Sequence, residues 1–513
     1  MIAGMRMIQA TLWAVSALAA PSLFGEVRFD RYYGDHMVVQ RDAPLVVRGT
    51  AGSGEAITLT FAGATAATTA DGKGRWEVVL APQSANFKGA SLSAKGSSDE
   101  VSLRDVLVGD VWITAGQSNM EFALWKEEHA KTELPLAADA GLRLLTHDFP
   151  GQSAVRKTLP ATAIARLAPE RFYDGTWAVA SPQTARNASA IAYYFANKLR
   201  TKTGIPIGIV GYAIGGAPIE TFISRAALTG DPRFAAKTRG DWLNNSAIDG
   251  WVKMRAAEQV AELEGAPRDS LGINHGFKPG FAFEAGPGRI AGIPVKGVLW
   301  YQGESNAIEK ERVEEYPELF RLLVDDWRKN WRQPAMPFYY AQLSSCDESP
   351  IRKFWPEFRD DQRRTLAVIG GPVGMVVTSD VGAEKNVHPR DKKTVGERFA
   401  RWALRDCYGR KDIVVTGPLA EAAAGRGTAP VVSFVSGQGM RARAGTEITD
   451  FELAGPDGRF IPAEVHVEGE TVVVTAKGVS SPRQVRYGWK PYTTANLVNG
   501  EGLPASTFLL QIR

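Results

Sequence analysis

Four polar clusters in the middle of this sequence each follow a short apolar run, and together they hold the side chains that acyl transfer needs. They are residues 116–120, 214–220, 302–306 and 380–391. A strand that ends at a glycine and then presents a serine places that hydroxyl on a tight turn above a sheet, where nucleophiles of open α/β sheets lie. Ser118 follows such a strand, although a serine there could also simply cap a helix.

The four clusters supply complementary chemical groups. Ser118 is a poor nucleophile until a base takes its proton, and His388 is the best candidate for that base because imidazole titrates near neutral pH. A tetrahedral intermediate needs preorganised N–H donors. We predict that the backbone N–H groups of Ser118 and of Gly215 or Gly216 provide them.

The cluster at 302–306 offers a further donor to the same oxyanion. Gln302 and Asn306 both carry side-chain amides directly after an apolar strand. Either amide can donate a third hydrogen bond. The sequence therefore predicts an oxyanion hole formed by Ser118, Gly215, Gln302 and Asn306.

The elements around these clusters predict an α/β catalytic domain over residues 108–410. Apolar runs at 207–212, 295–301, 338–343 and 374–378 read as buried strands, and 191–200, 311–329 and 395–404 have helical periodicity. Helix followed by strand is the unit of a parallel sheet. The segments 122–185 and 225–290 interrupt this pattern, and we expect them to form the walls of a cleft at the carboxyl edge of the sheet.

The residues on both sides of this domain have the sequence pattern of β-strands. Short strands separated by glycine-rich turns predict a β-sandwich domain over 26–107, and a similar pattern predicts a second β domain over 411–513. The strands predicted in these flanks are 37–40, 45–49, 57–61, 76–80, 431–434, 448–453 and 471–475.

Composition limits the class of protein. The 513 residues are 44% hydrophobic and 23% charged, which is typical of a globular chain with two or three domains. The 60 basic and 56 acidic residues give a net charge of +4, and no basic run is interleaved with aromatic residues, so a nucleic-acid partner is not expected.

The N-terminal 25 residues predict that the protein is exported from the cytoplasm. Arg6 precedes a mostly apolar stretch that ends in small residues, which is typical of a signal peptide over 1–25 with cleavage near Ala19 or Gly25. No second run approaches membrane length, so we expect a periplasmic or secreted protein without a membrane anchor. The two cysteines, Cys346 and Cys407, could pair or stay free, and the oligomeric state is left open.

The four clusters together resemble the conserved blocks of the sialate O-acetylesterase family, which belongs to the SGNH-hydrolase superfamily. The matching blocks are 116–121 (GQSNME), 215–220 (GGAPIE), 300–306 (WYQGESN) and 387–392 (VHPRDK). Further similarity lies in the N-terminal part, at 34–41 (GDHMVVQR), and in the C-terminal part, at 486–489 (RYGW) and 496–506 (NLVNGEGLPAS).

The resemblance implies a carbohydrate O-acetylesterase with a flavodoxin-like three-layer core between flanking β-sandwich-like domains. It implies Ser118 as the nucleophile and His388 as the base, and it implies no metal and no organic cofactor. It also supports the oxyanion role for Ser118, Gly215 and the block at 302–306.

One position departs from the superfamily pattern, which often has an aspartate three residues before the histidine. Lys385 stands there. Asp380, at the end of its strand, is our first candidate for the group that orients His388, and Asp391 is the second. The third alternative is a Ser–His dyad steadied by a backbone carbonyl.

Two more residues are predicted to bind substrate. Glu304 lies beside the predicted oxyanion donors, where a carboxylate can accept hydrogen bonds from sugar hydroxyls, and Trp489 of the C-terminal segment can reach the cleft. The acetylated partner could be a sialic acid or a plant polysaccharide such as xylan or pectin. A non-catalytic carbohydrate-binding protein is the alternative from another class, and a peptidase or lipase is a weaker one.

Overall fold

The structure, a computed structural model, describes residues 25–152, 158–260, 262–425, 427–443 and 447–513. The predicted signal peptide lies outside the described residues except for Gly25, so it stays a prediction. Within these ranges, no helix combines the length and the apolar character needed to cross a bilayer. Cys346 and Cys407 are both free thiols.

The N-terminal part consists of mostly antiparallel strands. The strands are β1 Arg28–Phe29, β2 Val38–Gln40, β3 Leu45–Thr50, β4 Ala56–Phe61, β5 Ala64–Thr69, β6 Arg75–Leu80, β7 Asn86–Lys95 and β8 Glu100–Gly116. Exposed and buried residues alternate strictly along β4 and β6, because successive side chains of a strand point to opposite faces. All four strands predicted here are confirmed.

Strand β8 joins the N-terminal part to the catalytic core without a break. Its first half pairs with β7, residues 107–109 pair in parallel with β2, and its second half enters the central sheet. The predicted boundary between residues 107 and 108 therefore lies inside one continuous strand. The division into domains stays a prediction.

The core alternates strands and helices. Its strands are β9 Asp139–Leu145, β10 Trp177–Ala180, β11 Ile207–Gly211, β12 Arg268–Asp269, β13 Gly272–Ile273, β14 Gly297–Tyr301, β15 Phe338–Ala341 and β16 Val373–Val376. Its helices are α1 Ser118–Glu121, α2 Ala130–Glu133, α3 Ala190–Thr203, α4 Arg225–Gly230, α5 Gly250–Val260, α6 Phe281–Ala285, α7 Lys310–Trp331, α8 Trp355–Thr365 and α9 Lys393–Cys407.

The central sheet has the parallel order β9-β11-β8-β14-β15-β16, with β10 antiparallel at the β9 edge. Flavodoxin-like sheets follow the order 2-1-3-4-5, and β8, β11, β14, β15 and β16 have that order here, with β9 and its antiparallel partner β10 added at the β11 edge. The strand order reverses around β8, and ligands of open α/β sheets bind in the crevice that this reversal creates.

Helices cover both faces of the sheet, because adjacent residues of a buried strand point to opposite sides. On one face the ring of Trp112 lies 5.0 Å from that of Phe195 in α3, and Tyr339 lies 6.0 Å from Trp402 in α9. On the other face Tyr340, the next residue along β15, lies 4.9 Å from Phe320 in α7. The predicted α/β class is confirmed.

The segment 122–185 is more regular than the sequence predicted. It contains β9 and β10, which extend the central sheet, and neither strand was predicted from the sequence. The run at 139–145 is short and follows a proline-containing turn, and its strand character comes from pairing with β11, a tertiary contact.

The C-terminal part has its own apolar core. Its strands are β17 Leu419–Ala424, β18 Val431–Val435, β19 Arg441–Ala442, β20 Phe451–Ala454, β21 Phe460–Pro462, β22 Glu464–Glu468, β23 Thr471–Thr475, β24 Gln484–Tyr487, β25 Leu497–Val498 and β26 Phe508–Gln511. They form two four-stranded antiparallel sheets and a two-stranded one, and the side chains of both larger sheets share one buried cluster.

A buried arginine docks this C-terminal part on the core. The guanidinium of Arg359, in α8, donates to the carbonyls of Gly488, Lys490 and Pro491 at 2.9, 2.5 and 3.1 Å. Burial lowers the pKa of Arg359 to about 9. Three carbonyl acceptors take the place of water around a group that is costly to bury, so the segment 488–491 is held firmly against the catalytic core.

Candidate active site

Ser118 stands at the carboxyl end of β8 on a turn that only glycine allows. Gly116 has φ +131°, and a Cβ added there would lie 2.1 Å from the carbonyl oxygen of Tyr301. The N–H of Gln117 donates to that same carbonyl at 2.9 Å. The strand therefore stops abruptly, and Ser118 becomes the first residue of α1.

The imidazole of His388 reaches the hydroxyl of Ser118 although 270 residues separate the two. The distance from Nε2 to Oγ is 2.7 Å. That is the separation at which a base can take a hydroxyl proton. The predicted coincidence of these two side chains is present in the structure.

The surroundings of His388 keep its imidazole neutral. Burial and, after it, the cations Lys392, Arg352 and Lys126 together lower the pKa of His388 to about 4, against the opposing charge of Glu348. A neutral imidazole can accept a proton, so the group is in the state that a base requires at neutral pH.

Asp380 does not contact His388, and its predicted role as the orienting acid is wrong. Its oxygens accept two hydrogen bonds from Arg398, both at 2.7 Å, and one from Arg443 at 2.6 Å. These cations lower the pKa of Asp380 despite its burial. Asp380 therefore links α9 to the C-terminal part.

Asp391, the second candidate, caps α9 by accepting the N–H of Thr394 at 2.9 Å. In the described ranges, neither a carboxylate nor a backbone carbonyl lies at hydrogen-bond distance from Nδ1 of His388. The structure thus brings together a Ser–His pair and leaves the third predicted member elsewhere.

We expect Asp380→Asn to lower stability far more than activity. The substitution leaves two guanidinium groups without their shared carboxylate, and breaking a buried ion pair costs about 3–5 kcal/mol. Turnover of an acetyl ester should stay within about tenfold of wild type, because the imidazole keeps its contact with Ser118. Thermal unfolding and ester hydrolysis check the two effects. A loss of activity of about a thousandfold at unchanged stability would show instead that Asp380 orients His388.

Gln302 and Asn306 are buried below the site and are not oxyanion donors. Nε2 of Gln302 donates to Gln117 Oε1, Asn306 Oδ1 and the carbonyl of Ala217, at 3.1, 2.7 and 3.2 Å. Nδ2 of Asn306 donates to Glu220 Oε2 at 3.0 Å. Both side chains are fully buried and neither lines the cavity beside Ser118, so the prediction for these two residues is wrong.

Gln117, the residue before Ser118, carries another side-chain amide at this site. Its Oε1 accepts hydrogen bonds from Gln302 Nε2, Gly303 N and Ser305 N, at 3.1, 3.2 and 3.3 Å. Three donors on one atom fix which end of the amide is oxygen, and the side chain lines the cavity. The sequence held a signal for this residue, since it is the amide next to the serine.

The amide of Gly215 is already occupied. Its N–H donates to Glu121 Oε2 at 2.6 Å, so its predicted role as an oxyanion donor is wrong in this structure. Burial raises the pKa of Glu121 to about 7. The N–H groups of Ser118 and Gly216 have no acceptor in the part of the chain that the structure describes, and both residues line the cavity.

The cavity itself has a volume of about 190 Å³. Its walls come from the predicted segments, through the turn at 149–152, helix α5 and the turn at 275–277, so the expected cleft walls are confirmed. The lining side chains of these walls and of the strand ends include Gln117, Ser118, Phe149, Trp251, Arg255, Phe277, Glu304, Arg352 and His388.

The two predicted substrate-binding residues differ in position. Glu304 lines the cavity, and its Oε2 is buried without a hydrogen-bond partner among the described residues. Trp489 does not line the cavity, so the expectation that it reaches the substrate is wrong. The neighbouring carbonyls of Gly488 and Lys490 are bound by Arg359, which holds this segment against α8.

One group of potential metal ligands lies near the site, as far as the described residues go. Glu127, His129 and Asp391 each offer an atom within 4.8 Å of the others. His129 Nδ1 is hydrogen-bonded to Glu127 Oε1 at 2.7 Å, and Asp391 caps α9. The two segments that hold these residues are joined by other hydrogen bonds, from the N–H of Glu128 to the carbonyl of Arg390 at 3.3 Å and from Nε of Arg390 to the carbonyl of Lys126 at 3.0 Å.

Comparison with known proteins agrees with this geometry. Residues 287–405 match the family of carbohydrate esterases described as sialic acid-specific acetylesterases. The sialate O-acetylesterase of Mus musculus is 25% identical over 94% of each chain, and that of Homo sapiens is 25% identical over 77% of this chain and 73% of its own.

A solved structure extends the match to the whole fold. A carbohydrate acetylesterase from Xanthomonas citri is 30% identical, with a TM-score of 0.77 over 94% of this chain and 99% of its own. The chain therefore belongs to the sialate O-acetylesterase family of carbohydrate esterases.

Proposed function

We propose that this protein removes O-acetyl groups from carbohydrates and that Ser118 and His388 carry out the reaction. The observation that carries the proposal is the 2.7 Å contact between Nε2 of His388 and Oγ of Ser118 beside a cavity of about 190 Å³. A protein that only binds sugars has no use for an imidazole held against a serine hydroxyl.

In the proposed reaction Oγ of Ser118 attacks the acetyl carbonyl carbon while its proton passes to Nε2 of His388. The tetrahedral intermediate then collapses, the bond from the acetyl carbon to the sugar oxygen breaks, and that oxygen takes the proton from His388. His388 next removes a proton from water, whose oxygen attacks the acetyl-serine. The bond from the acetyl carbon to Oγ then breaks, Oγ takes the proton from His388, and acetic acid leaves and ionises to acetate in solution.

The proposed oxyanion hole differs from the one that the sequence predicts. Its donors are the backbone N–H groups of Ser118 and Gly216 and Nε2 of Gln117. Glycine at position 216 has φ +78°, a backbone conformation that most side chains disfavour. Because Gln302, Gly303 and Ser305 hold the opposite end of the Gln117 amide, that donor is preorganised before substrate arrives.

We further propose an O-acetylated sialic acid as the substrate. The curated relatives are named sialate O-acetylesterases, and the matching family is described as sialic acid-specific. The guanidinium groups of Arg255 and Arg352 line the cavity. Each has a carboxylate partner, Glu258 and Glu348 respectively, but guanidinium has five N–H donors and can also bind the carboxylate of an acidic sugar.

Acetate release from a panel of acetylated sugars tests the proposal. We expect kcat/KM for an O-acetylated sialic acid to exceed that for acetylated xylo-oligosaccharide or pectin by at least about tenfold, since the latter lack a matching carboxylate or a matching shape. Arg255→Gln should reduce the ratio of kcat/KM for the sialic acid to kcat/KM for the other sugars. Hydrolysis of p-nitrophenyl acetate, which carries no carboxylate, is the matched control and should not change in this variant. Equal rates on all sugars would refute the proposed sialic acid substrate but not the proposed esterase activity.

The finer architecture and the location belong to the same proposal. We infer an SGNH-hydrolase core between two β-sandwich-like domains, which is consistent with the parallel sheet and the antiparallel flanks. A signal peptide over residues 1–25 would direct the protein to the periplasm or the exterior, where acetylated glycans occur.

A further inference from the structure

Lys392 is a buried lysine that the proposed reaction does not use. It is 1% exposed and stands four residues after His388, just before α9. Its Nζ donates to Oδ1 of Asn119 at 2.6 Å and lies 4.9 Å from the ring centroid of Phe122 and 6.0 Å from that of Tyr301. Burying an ammonium group costs free energy, so a buried lysine beside the site is expected to have a role there.

The ammonium group fixes the orientation of one side-chain amide. Lysine only donates hydrogen bonds, so the oxygen of Asn119 must face Lys392 and its nitrogen must face away. That nitrogen donates to Oε1 of Glu304 at 2.5 Å and to the carbonyl of Val387 at 2.9 Å. Asn119 follows the serine and Val387 precedes the histidine, so a single amide joins the two reacting loops.

This link matters because His388 has no orienting acid. Its Nδ1 has no acceptor among the described residues, and its backbone N–H donates to Oδ1 of Asn386 at 2.9 Å. The position of the imidazole relative to Ser118 therefore depends on how the backbone at 387–388 is held. In the part of the chain that the structure describes, the hydrogen bond from Asn119 to Val387 joins this backbone to the loop of the nucleophile.

We propose that Lys392 is a positioning residue, which holds the Asn119 amide and, through it, the Val387 carbonyl, so that the imidazole of His388 stays within reach of Ser118. The proposal rests on the function proposed above, since it concerns the same pair of side chains. Lys392 itself does not line the cavity and donates its hydrogen bond to Asn119, and so acts through its neighbours.

The charges around the pair predict a second effect, on pH dependence. The charged groups that face His388 are Lys126, Glu348, Arg352 and Lys392, and those that face Lys392 are Glu304, Asp391 and Glu127. Burial lowers the pKa of Lys392 to about 7, and its positive form lowers the pKa of His388. Removing that cation raises the pKa of His388, so activity is lost at a higher pH as the solution is acidified.

The test is Lys392→Met in the full chain, with kcat and KM for p-nitrophenyl acetate measured across the acid range. In wild type the acid limb of kcat/KM should have its midpoint near pH 4, the pKa of His388. In the variant we expect kcat to fall about 10- to 100-fold with KM within about threefold, because a displaced base loses its attack geometry. The acid limb should also move to higher pH.

Two further variants keep the test decisive. Lys393→Met is the matched control, since this neighbouring lysine pairs with Glu133 at 2.5 Å outside the network, and wild-type kinetics are expected. Asn119→Asp keeps an acceptor for Lys392 but removes the N–H donor to Val387, so kcat should fall by the factor expected for Lys392→Met. This second variant tests the proposal if Lys392→Met folds poorly.

Wild-type kcat in Lys392→Met, or in Asn119→Asp, would overturn the positioning role if Ser118→Ala is inactive in the same assay. An acid limb that does not move in Lys392→Met would overturn it as well, because an ammonium group close enough to hold this network also acts on the charge of the His388 imidazole. Activity that survives in Ser118→Ala would instead refute the proposed function, so the two failures are distinguishable.

Discussion

Replacing Ser118 with alanine is expected to lower ester hydrolysis on the order of 10⁴- to 10⁶-fold while the fold stays intact. The substitution removes only Oγ, whose hydrogen bond in the structure is to Nε2 of His388. No other described hydroxyl makes such a contact with this imidazole, so the acyl-enzyme has no other oxygen on which to form. Acetate release and thermal unfolding of the same preparation separate loss of chemistry from loss of structure.

The matched control for this prediction lies on the same strand. Ser102 is an exposed serine in the first half of β8, far from the carboxyl end that carries Ser118. Ser102→Ala should hydrolyse p-nitrophenyl acetate like wild type. If Ser118→Ala retained more than about a hundredth of wild-type turnover, the nucleophile would have to be another group.

His388→Ala should lose activity by a comparable factor, because the hydroxyl of Ser118 then keeps its proton at neutral pH. Groups that act as one unit show strongly non-additive losses, so the double variant Ser118→Ala/His388→Ala should be little slower than either single variant. Rates of all three measured with one acetyl ester check this. Since His388 is only partly buried, its replacement should cost little stability.

His466, exposed on β22, offers the control of the same residue type. His466→Ala is expected to leave turnover unchanged. Losses in the Ser118 and His388 variants that multiply in the double variant would indicate two independent functions and would argue against proton transfer between them.

Some of the site follows from residue type and local pattern alone. An apolar strand that ends in glycine and then serine gave the nucleophile position, and the histidine in 387–392 gave the base. Both predictions required only that loops after parallel strands meet at one edge of a sheet. The order of the sheet brings the strand ends before Ser118 and Gln302 side by side, since Gly116 of β8 pairs with Tyr301 of β14.

The roles predicted for other residues were wrong because the partners of their side chains are distant in sequence. Asp380 stands where an orienting acid would be expected, but Arg398 and Arg443 bind it. Gln302 carries the expected amide, yet it lies buried below the site, where it orients Gln117. No periodicity in the sequence reports which arginine or amide a side chain will meet.

The sequence by itself determined the chemical inventory of this protein: the serine, the imidazole, the glycine turn and the alternation of strands and helices. These depend on residue type and on neighbours a few positions away, which a sequence displays directly. The tertiary structure alone decided which groups face the cavity, which carboxylate is neutralised elsewhere, and that Lys392, through Asn119, ties the loop of Ser118 to that of His388. Such contacts join loops separated by as many as 273 residues, and only the packing of the whole sheet and its helices sets their directions.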